Sequence, residues 1–137
     1  MLAAHPEAGS LGYIRGRVAL LNADKLNVGV SVFIAVKTNQ HNAEWAQRFR
    51  KIVTSFPEVV DFFRLSGDVD YLIRAVVPDI RAYDELYQRL IAKIDIYDVS
   101  SMFAMEQIKS TTELPLVYAS PPGGRGTSQT ARHAVAH

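Results

Sequence analysis

The apolar residues of this chain keep changing their spacing, and those changes limit what it can fold into more tightly than any other feature. Between Val28 and Lys37 the even positions Val28, Val30, Val32, Ile34 and Val36 are apolar, while Phe33 and Ala35 make the odd face partly apolar too. A period of two with that asymmetry describes a strand buried on one side and half covered on the other. From His41 to Phe56 the period becomes helical. Trp45, Phe49, Ile52, Val53 and Phe56 form one stripe, Glu44, Gln47, Arg48, Arg50 and Lys51 occupy the rest, and Pro57 stops the helix. Two β-rich runs follow, Glu58–Ser66 and Asp68–Val77, separated by Ser66-Gly67-Asp68. A Gly-Asp pair there signals a hairpin, because Gly accepts the positive φ that a tight turn demands. Asp79 then offers an N-cap, and Tyr83, Leu86, Tyr87, Leu90, Ile91 and Ile94 recur at helical spacing. A last strand is expected from about Tyr97 to Ile108, with extended Thr111–Leu116 after it. Upstream, Tyr13–Leu21 is a separate β-like run ending in turn-prone Asn22-Ala23-Asp24.

The order from Val28 onward is βαββαβ. Right-handed crossovers fold that order into an α+β, ferredoxin-like arrangement, a four-stranded antiparallel sheet with two helices on one face. The other face, carrying Phe33 and Ala35, is left without a helix. Large exposed apolar patches mark interfaces, so the chain is expected to dimerise through the open sheet face. The expected organisation is a disordered N-terminus over 1–11, a linker strand and turn over 12–27, the ferredoxin-like domain over 28–116, and a disordered tail over 117–137. The tail is dominated by Pro, Gly, Ser, Thr and Ala and cannot bury enough apolar area to offset the entropy of ordering it.

With 137 residues and 48% apolar composition, the chain is sized for one core. A net charge of +1 provides no overall field for gathering phosphates, so composition gives no support for nucleic-acid contact. The absence of cysteine removes disulfides, thiolate nucleophiles and thiolate metal sites together. Nothing approaches the roughly 20 apolar residues of a membrane span, and the first residues lack the pattern of a signal peptide. A cytoplasmic protein with no membrane partner is expected. The histidines are His5, His41, His133 and His137. No Ser/His/Asp set, HExxH helix or phosphate-cradling glycine loop accompanies them. No catalytic residue, metal or cofactor is therefore expected, and His41 reads as a solvated residue at a helix start.

The most suggestive local feature is the acidic hairpin Ser66-Gly67-Asp68-Val69-Asp70-Tyr71. Asp68 and Asp70 are expected two apart on a strand, so their side chains leave on the same face, beside backbone N–H groups of the turn. A free amino acid needs that combination: N–H donors for its carboxylate and a carboxylate for its ammonium. The competing reading is structural, with Asp68 completing the turn and Asp70 pairing with Arg64 or Arg74 across the hairpin. The segment Ser100–Glu106 divides similarly. Met102 and Phe103 are either core side chains or a pliable wall for an apolar ligand. Trp45 reads as packing.

Several stretches together resemble the Lrp/AsnC family of feast/famine regulators. They are Tyr13-Ile14-Arg15-Gly16-Arg17-Val18, Phe56-Pro57-Glu58-Val59-Val60, Arg64-Leu65-Ser66-Gly67-Asp68-Val69-Asp70-Tyr71, Val77-Pro78-Asp79 with Ala82-Tyr83, and Met105-Glu106-Gln107-Ile108-Lys109-Ser110. The similarity spans about Gly12 to Leu116. It implies an amino-acid-sensing and oligomerisation domain of a transcriptional regulator that forms a homo-oligomer, a dimer or an octamer of four dimers, with an amino acid effector held between dimers. It also implies effector-binding roles for Ser66, Gly67, Asp68, Asp70, Ile80, Met102, Phe103 and Ala104. In the family a helix-turn-helix precedes the Tyr13–Gly16 strand, whereas here only residues 1–11 do, without helical period. DNA is thus expected as a partner only through a full-length family partner or a missing N-terminal domain. The alternative from another class is a small dimeric α+β-barrel enzyme acting on an apolar substrate, built from the same βαββαβ unit.

Overall fold

The alternation of Val30, Val32, Ile34 and Val36 becomes strand β1 (Val30–Lys37), in which Val32, Ile34 and Val36 are buried while Val30, Ser31 and Phe33 are half-buried. Helix α1 (Ala43–Thr54) follows, its start fixed by Asn42, whose side chain accepts the Trp45 N–H at 2.7 Å. Strands β2 (Val59–Arg64) and β3 (Tyr71–Val77) form the hairpin. Helix α2 (Ile80–Lys93) begins at the Asp79 N-cap, which accepts the Ala82 N–H at 2.8 Å, and strand β4 (Asp98–Phe103) completes the order. The computed structural model describes residues 12–120, so the disorder expected for 1–11 and for most of the 117–137 tail lies outside the described residues.

The sheet order is β2-β3-β1-β4, antiparallel throughout, which is the ferredoxin-like topology expected from the sequence. Both helices pack on one face. Val32, Ile34 and Val36 from β1 and Tyr71, Ile73, Ala75 and Val77 from β3 meet Trp45, Phe49 and Val53 from α1 and Leu86 and Leu90 from α2. Each fully buried large side chain here stabilises the fold by about 1.5–3 kcal/mol relative to exposure. Phe49, fully buried, is the hub. Its ring stacks on Trp45 at 4.8 Å between centroids and meets Tyr71 and Phe62 edge-on at 4.9 and 5.6 Å. Trp45 serves packing as expected, with its indole N–H donating to the Asp95 carbonyl at 3.2 Å.

A β-bulge at Val60 separates the pair Val59↔Ala75 from Asp61↔Arg74. The extra residue returns Phe62 to the helix side and leaves Asp61 and Phe63 on the open face. That face carries Phe33, Leu72, Val76, Phe63 and Met102 around an Arg74–Asp61 ion pair.

All helices and strands lie in one unit, Gly16–Ile108. The described residues of a second unit, 12–15 and 109–120, contain neither helix nor strand; there the Tyr13 hydroxyl donates to the Ser120 carbonyl and the Ala119 N–H to that of Leu116. Two strand expectations come out differently. Tyr13–Leu21 has no ladder among the described residues, and Val18, Leu20 and Leu21 are exposed. β propensity makes a strand only where a neighbour supplies hydrogen bonds, and the single chain offers none there. Strand β4 ends at Phe103 rather than Ile108. Its partner β1 starts at Val30, so after the Ala104 N–H donates to the Ser31 carbonyl at 3.0 Å the ladder has no further rungs.

Candidate functional site

The hairpin loop departs from the expected tight turn. Arg64↔Tyr71 is the last ladder pair, and the Leu65 N–H then donates to the Asp70 carbonyl at 2.9 Å, leaving Ser66, Gly67, Asp68 and Val69 as the loop itself. Gly67 does take the left-handed conformation, with φ at +128°. Because the loop is longer, Asp68 and Asp70 are not on a strand, and the expectation that strand alternation puts both on one face fails. Asp68 is exposed with Ser66 and Gly67. Asp70 is half-buried and anchored at two points: its Oδ2 accepts the Thr38 N–H at 2.9 Å and its own N–H donates to the Val36 carbonyl at 3.0 Å. The cross-hairpin partner of Arg74 is Asp61, at 2.7 Å, so the reading that pairs Asp70 with Arg74 is replaced.

The remaining candidate residues gather at the opposite end of the sheet. Ile80 opens α2 and is 67% exposed. Met102, opposite Phe33 in the register, is 53% exposed on the open face, which settles its monomer environment as surface and not core. Phe103 points to the helix face and meets the Tyr83 ring edge-on at 5.1 Å, while Ala104 is exposed beyond the strand's end. The Tyr83 hydroxyl also hydrogen-bonds Ser101. The seven residues of β3 separate Asp70 from the α2 start, a span of about 20 Å at roughly 3.3 Å per residue. A single chain therefore does not bring the two groups onto one ligand of amino-acid size. Two copies meeting end to end could do so.

Sequence reasoning missed two features. The first is the Arg74–Asp61 pair on the open face, which depends on the bulge at Val60. The second is a cavity of about 360 Å³ beside Asp70, lined by Thr38, His41, Arg50, Arg64 and Tyr71 among others. The helical period places Arg50 only on the outer surface of a helix, and no spacing rule connects it with Arg64. Among the described residues no group of three His, Asp or Glu side chains is placed to hold a metal, and no helix is long and apolar enough to cross a membrane.

Elsewhere, Glu58 receives the Arg89 guanidinium at 2.9 Å, and Arg89 and Lys93 lie over the Phe56 ring at 5.3 and 5.1 Å. Burial alone pushes the Glu58 carboxyl upward. The Arg89 hydrogen bond and charge, with the residue's own N–H, outweigh it and hold the carboxyl below its ordinary value of 4.5.

The family model described as the Lrp/AsnC ligand binding domain matches residues 31–114. The DNA-binding transcriptional activator DecR of Escherichia coli is 47% identical over 106 residues, covering 77% of this chain and 70% of the relative. The glutamate uptake regulatory protein of Zymomonas mobilis is 40% identical over 114 residues, covering 83% and 70%. Among solved structures, an AsnC family transcriptional regulator from Agrobacterium tumefaciens superposes with a TM-score of 0.79 at 59% identity, covering 84% of this chain and 75% of that one. A transcriptional regulator from Neisseria meningitidis in complex with L-Met superposes with a TM-score of 0.75 at 31% identity, covering 82% and 73%.

Proposed function

This chain belongs to the Lrp/AsnC family of transcriptional regulators and carries that family's ligand-binding domain, and on that premise we propose that it binds a small amino acid between two dimers and thereby modulates transcription. The relatives are regulators of transcription, not enzymes, so the barrel-enzyme alternative is set aside. A free amino acid as effector is supported by the relative solved with L-Met. The effector's ammonium is assigned to Asp70 and its carboxylate to the amides of the Gly67-Asp68 loop, with Ser66 beside them. Ile80, Met102, Phe103 and Ala104 come from a neighbouring copy.

The observation that carries this reading is the division of the candidate residues between opposite ends of the sheet, which one ligand can bridge only where two copies meet. Dimers form first, through the open face. An apolar patch of this kind covered by its equal makes a self-complementary interface, and stable interfaces bury about 1,600 Å² in total. The domain unit proposed is residues 28–116, flanked by the 12–27 linker. Among the described residues both helices spend their apolar faces on the sheet. Operator contact is accordingly assigned to a helix-turn-helix contributed elsewhere in the assembly, in the cytoplasm where the DNA of a bacterial regulator lies. The test is titration of the twenty amino acids by calorimetry, with light scattering at each ligand concentration. Binding of at least one, with a change in assembly, is expected; a monomer at micromolar concentration that binds none would overturn the proposal.

A further inference from the structure

The cavity beside Asp70 carries a charge pattern that narrows the ligand. Arg50 projects from α1 and Arg64 from the end of β2, and both line this cavity of about 360 Å³ and an adjoining one of about 310 Å³ that adds Thr54 and Phe62. The volume lies within the roughly 300–1,000 Å³ of small-molecule sites. The described ion pairs of the chain's other arginines are Arg74–Asp61, Arg81–Glu85 and Arg89–Glu58, and neither Arg50 nor Arg64 has an acid partner among the described residues. Among the described residues Asp70 is the only carboxylate lining the cavity. It is held in place by the Thr38 N–H through Oδ2, which leaves Oδ1 for a ligand.

Two exposed cationic side chains therefore border the cavity together with one anchored anion. A plain anion such as phosphate would meet the repulsion of Asp70. A neutral zwitterion satisfies Asp70 with its ammonium but leaves the arginine pair in excess. The complement is a molecule with one ammonium and two carboxylates. We infer that the effector of this chain is an acidic amino acid of the aspartate or glutamate class, its side-chain carboxylate held by Arg50 and Arg64 while Asp70 takes its ammonium. The guanidinium fork matches a carboxylate through two parallel hydrogen bonds, a geometry an amide side chain does not reproduce. Arg50 and Arg64 are then specificity-determining residues, and the inference rests on the effector reading above.

The test is calorimetry on the whole chain with L-glutamate, L-aspartate, L-glutamine, L-methionine and glutarate, repeated on the Arg50→Gln/Arg64→Gln double variant and on Arg50→Lys/Arg64→Lys, each checked for fold by circular dichroism. Glutamate or aspartate should bind at least about tenfold more tightly than glutamine, as expected when charge-assisted hydrogen bonds are gained. The double Gln variant should lose that preference, the double Lys variant should retain part of it, and glutarate, lacking the ammonium, should bind weakly. Binding of methionine or glutamine as tight as that of the acids would overturn the inference and leave the effector reading standing. So would an acid preference that survives in the double Gln variant, or glutarate matching glutamate. Binding of no amino acid at all would overturn both.

Discussion

The Asp70 carboxylate accepts the backbone N–H of Thr38 at 2.9 Å, tying the β2–β3 loop to the C-terminal end of β1. One residue thus both anchors a loop and presents its second oxygen to the cavity, and substitutions can separate the two roles. Asp70→Asn retains an acceptor for Thr38 and should change unfolding free energy by less than about 1 kcal/mol, yet it should weaken amino acid binding about tenfold or more by losing the charge. Asp70→Ala should lose binding and about 1 kcal/mol of stability together. Urea unfolding beside calorimetry checks both. Undiminished binding in Asp70→Asn would remove Asp70 from the site.

The Arg74–Asp61 pair sits on the open face, its side chains 32% and 40% exposed in the single chain. There it contributes below about 1 kcal/mol. Covered by a second sheet, its loss would strand a buried charge, which costs about 3–5 kcal/mol. Asp61→Ala should therefore raise the dimer dissociation constant by more than tenfold with little change in monomer stability. Sedimentation equilibrium over a dilution series is the measurement; an unchanged dissociation constant would place the interface elsewhere.

Phe49 is fully buried against Trp45, Tyr71 and Phe62. Phe49→Ala should cost about 3–5 kcal/mol, a large share of the roughly 5–15 kcal/mol that holds a domain folded. Thermal unfolding by circular dichroism should show a large drop in Tm. A change of only a degree or two would mean that the core around α1 is less well packed than these contacts indicate.

Glu58 has a folded-state carboxyl held below its ordinary value of 4.5, with Arg89 offsetting the opposing effect of burial. Its contribution is fully present above about the ordinary value and is lost as pH falls through the lower, folded one. The stability difference between wild type and Arg89→Gln should thus be constant near neutrality and shrink as pH drops below 4.5. Denaturant midpoints measured from pH 7 down to pH 3 test this. A difference that grows toward acid would reverse the sign assigned to the pair.

The order of elements was legible in the sequence because each one carries its own local signal. The period of two in Val30–Val36, the helical stripe from Trp45 to Val53, the Asp79 cap and the left-handed Gly67 all report interactions within a few residues of themselves, and the structure has each of them. The open apolar face was equally readable, since counting helices against sheet faces needs only the topology. Tertiary structure alone decided the rest. The length of β4 depended on where β1 starts, the face taken by Asp61 on a one-residue bulge, and the surroundings of Asp70 on a loop longer than a two-residue turn. The meeting of Arg50 and Arg64 around one cavity was beyond any pattern in the chain. Local periodicity encodes which side of an element is buried; which two sides then share a cavity is set by register and packing between elements distant in sequence.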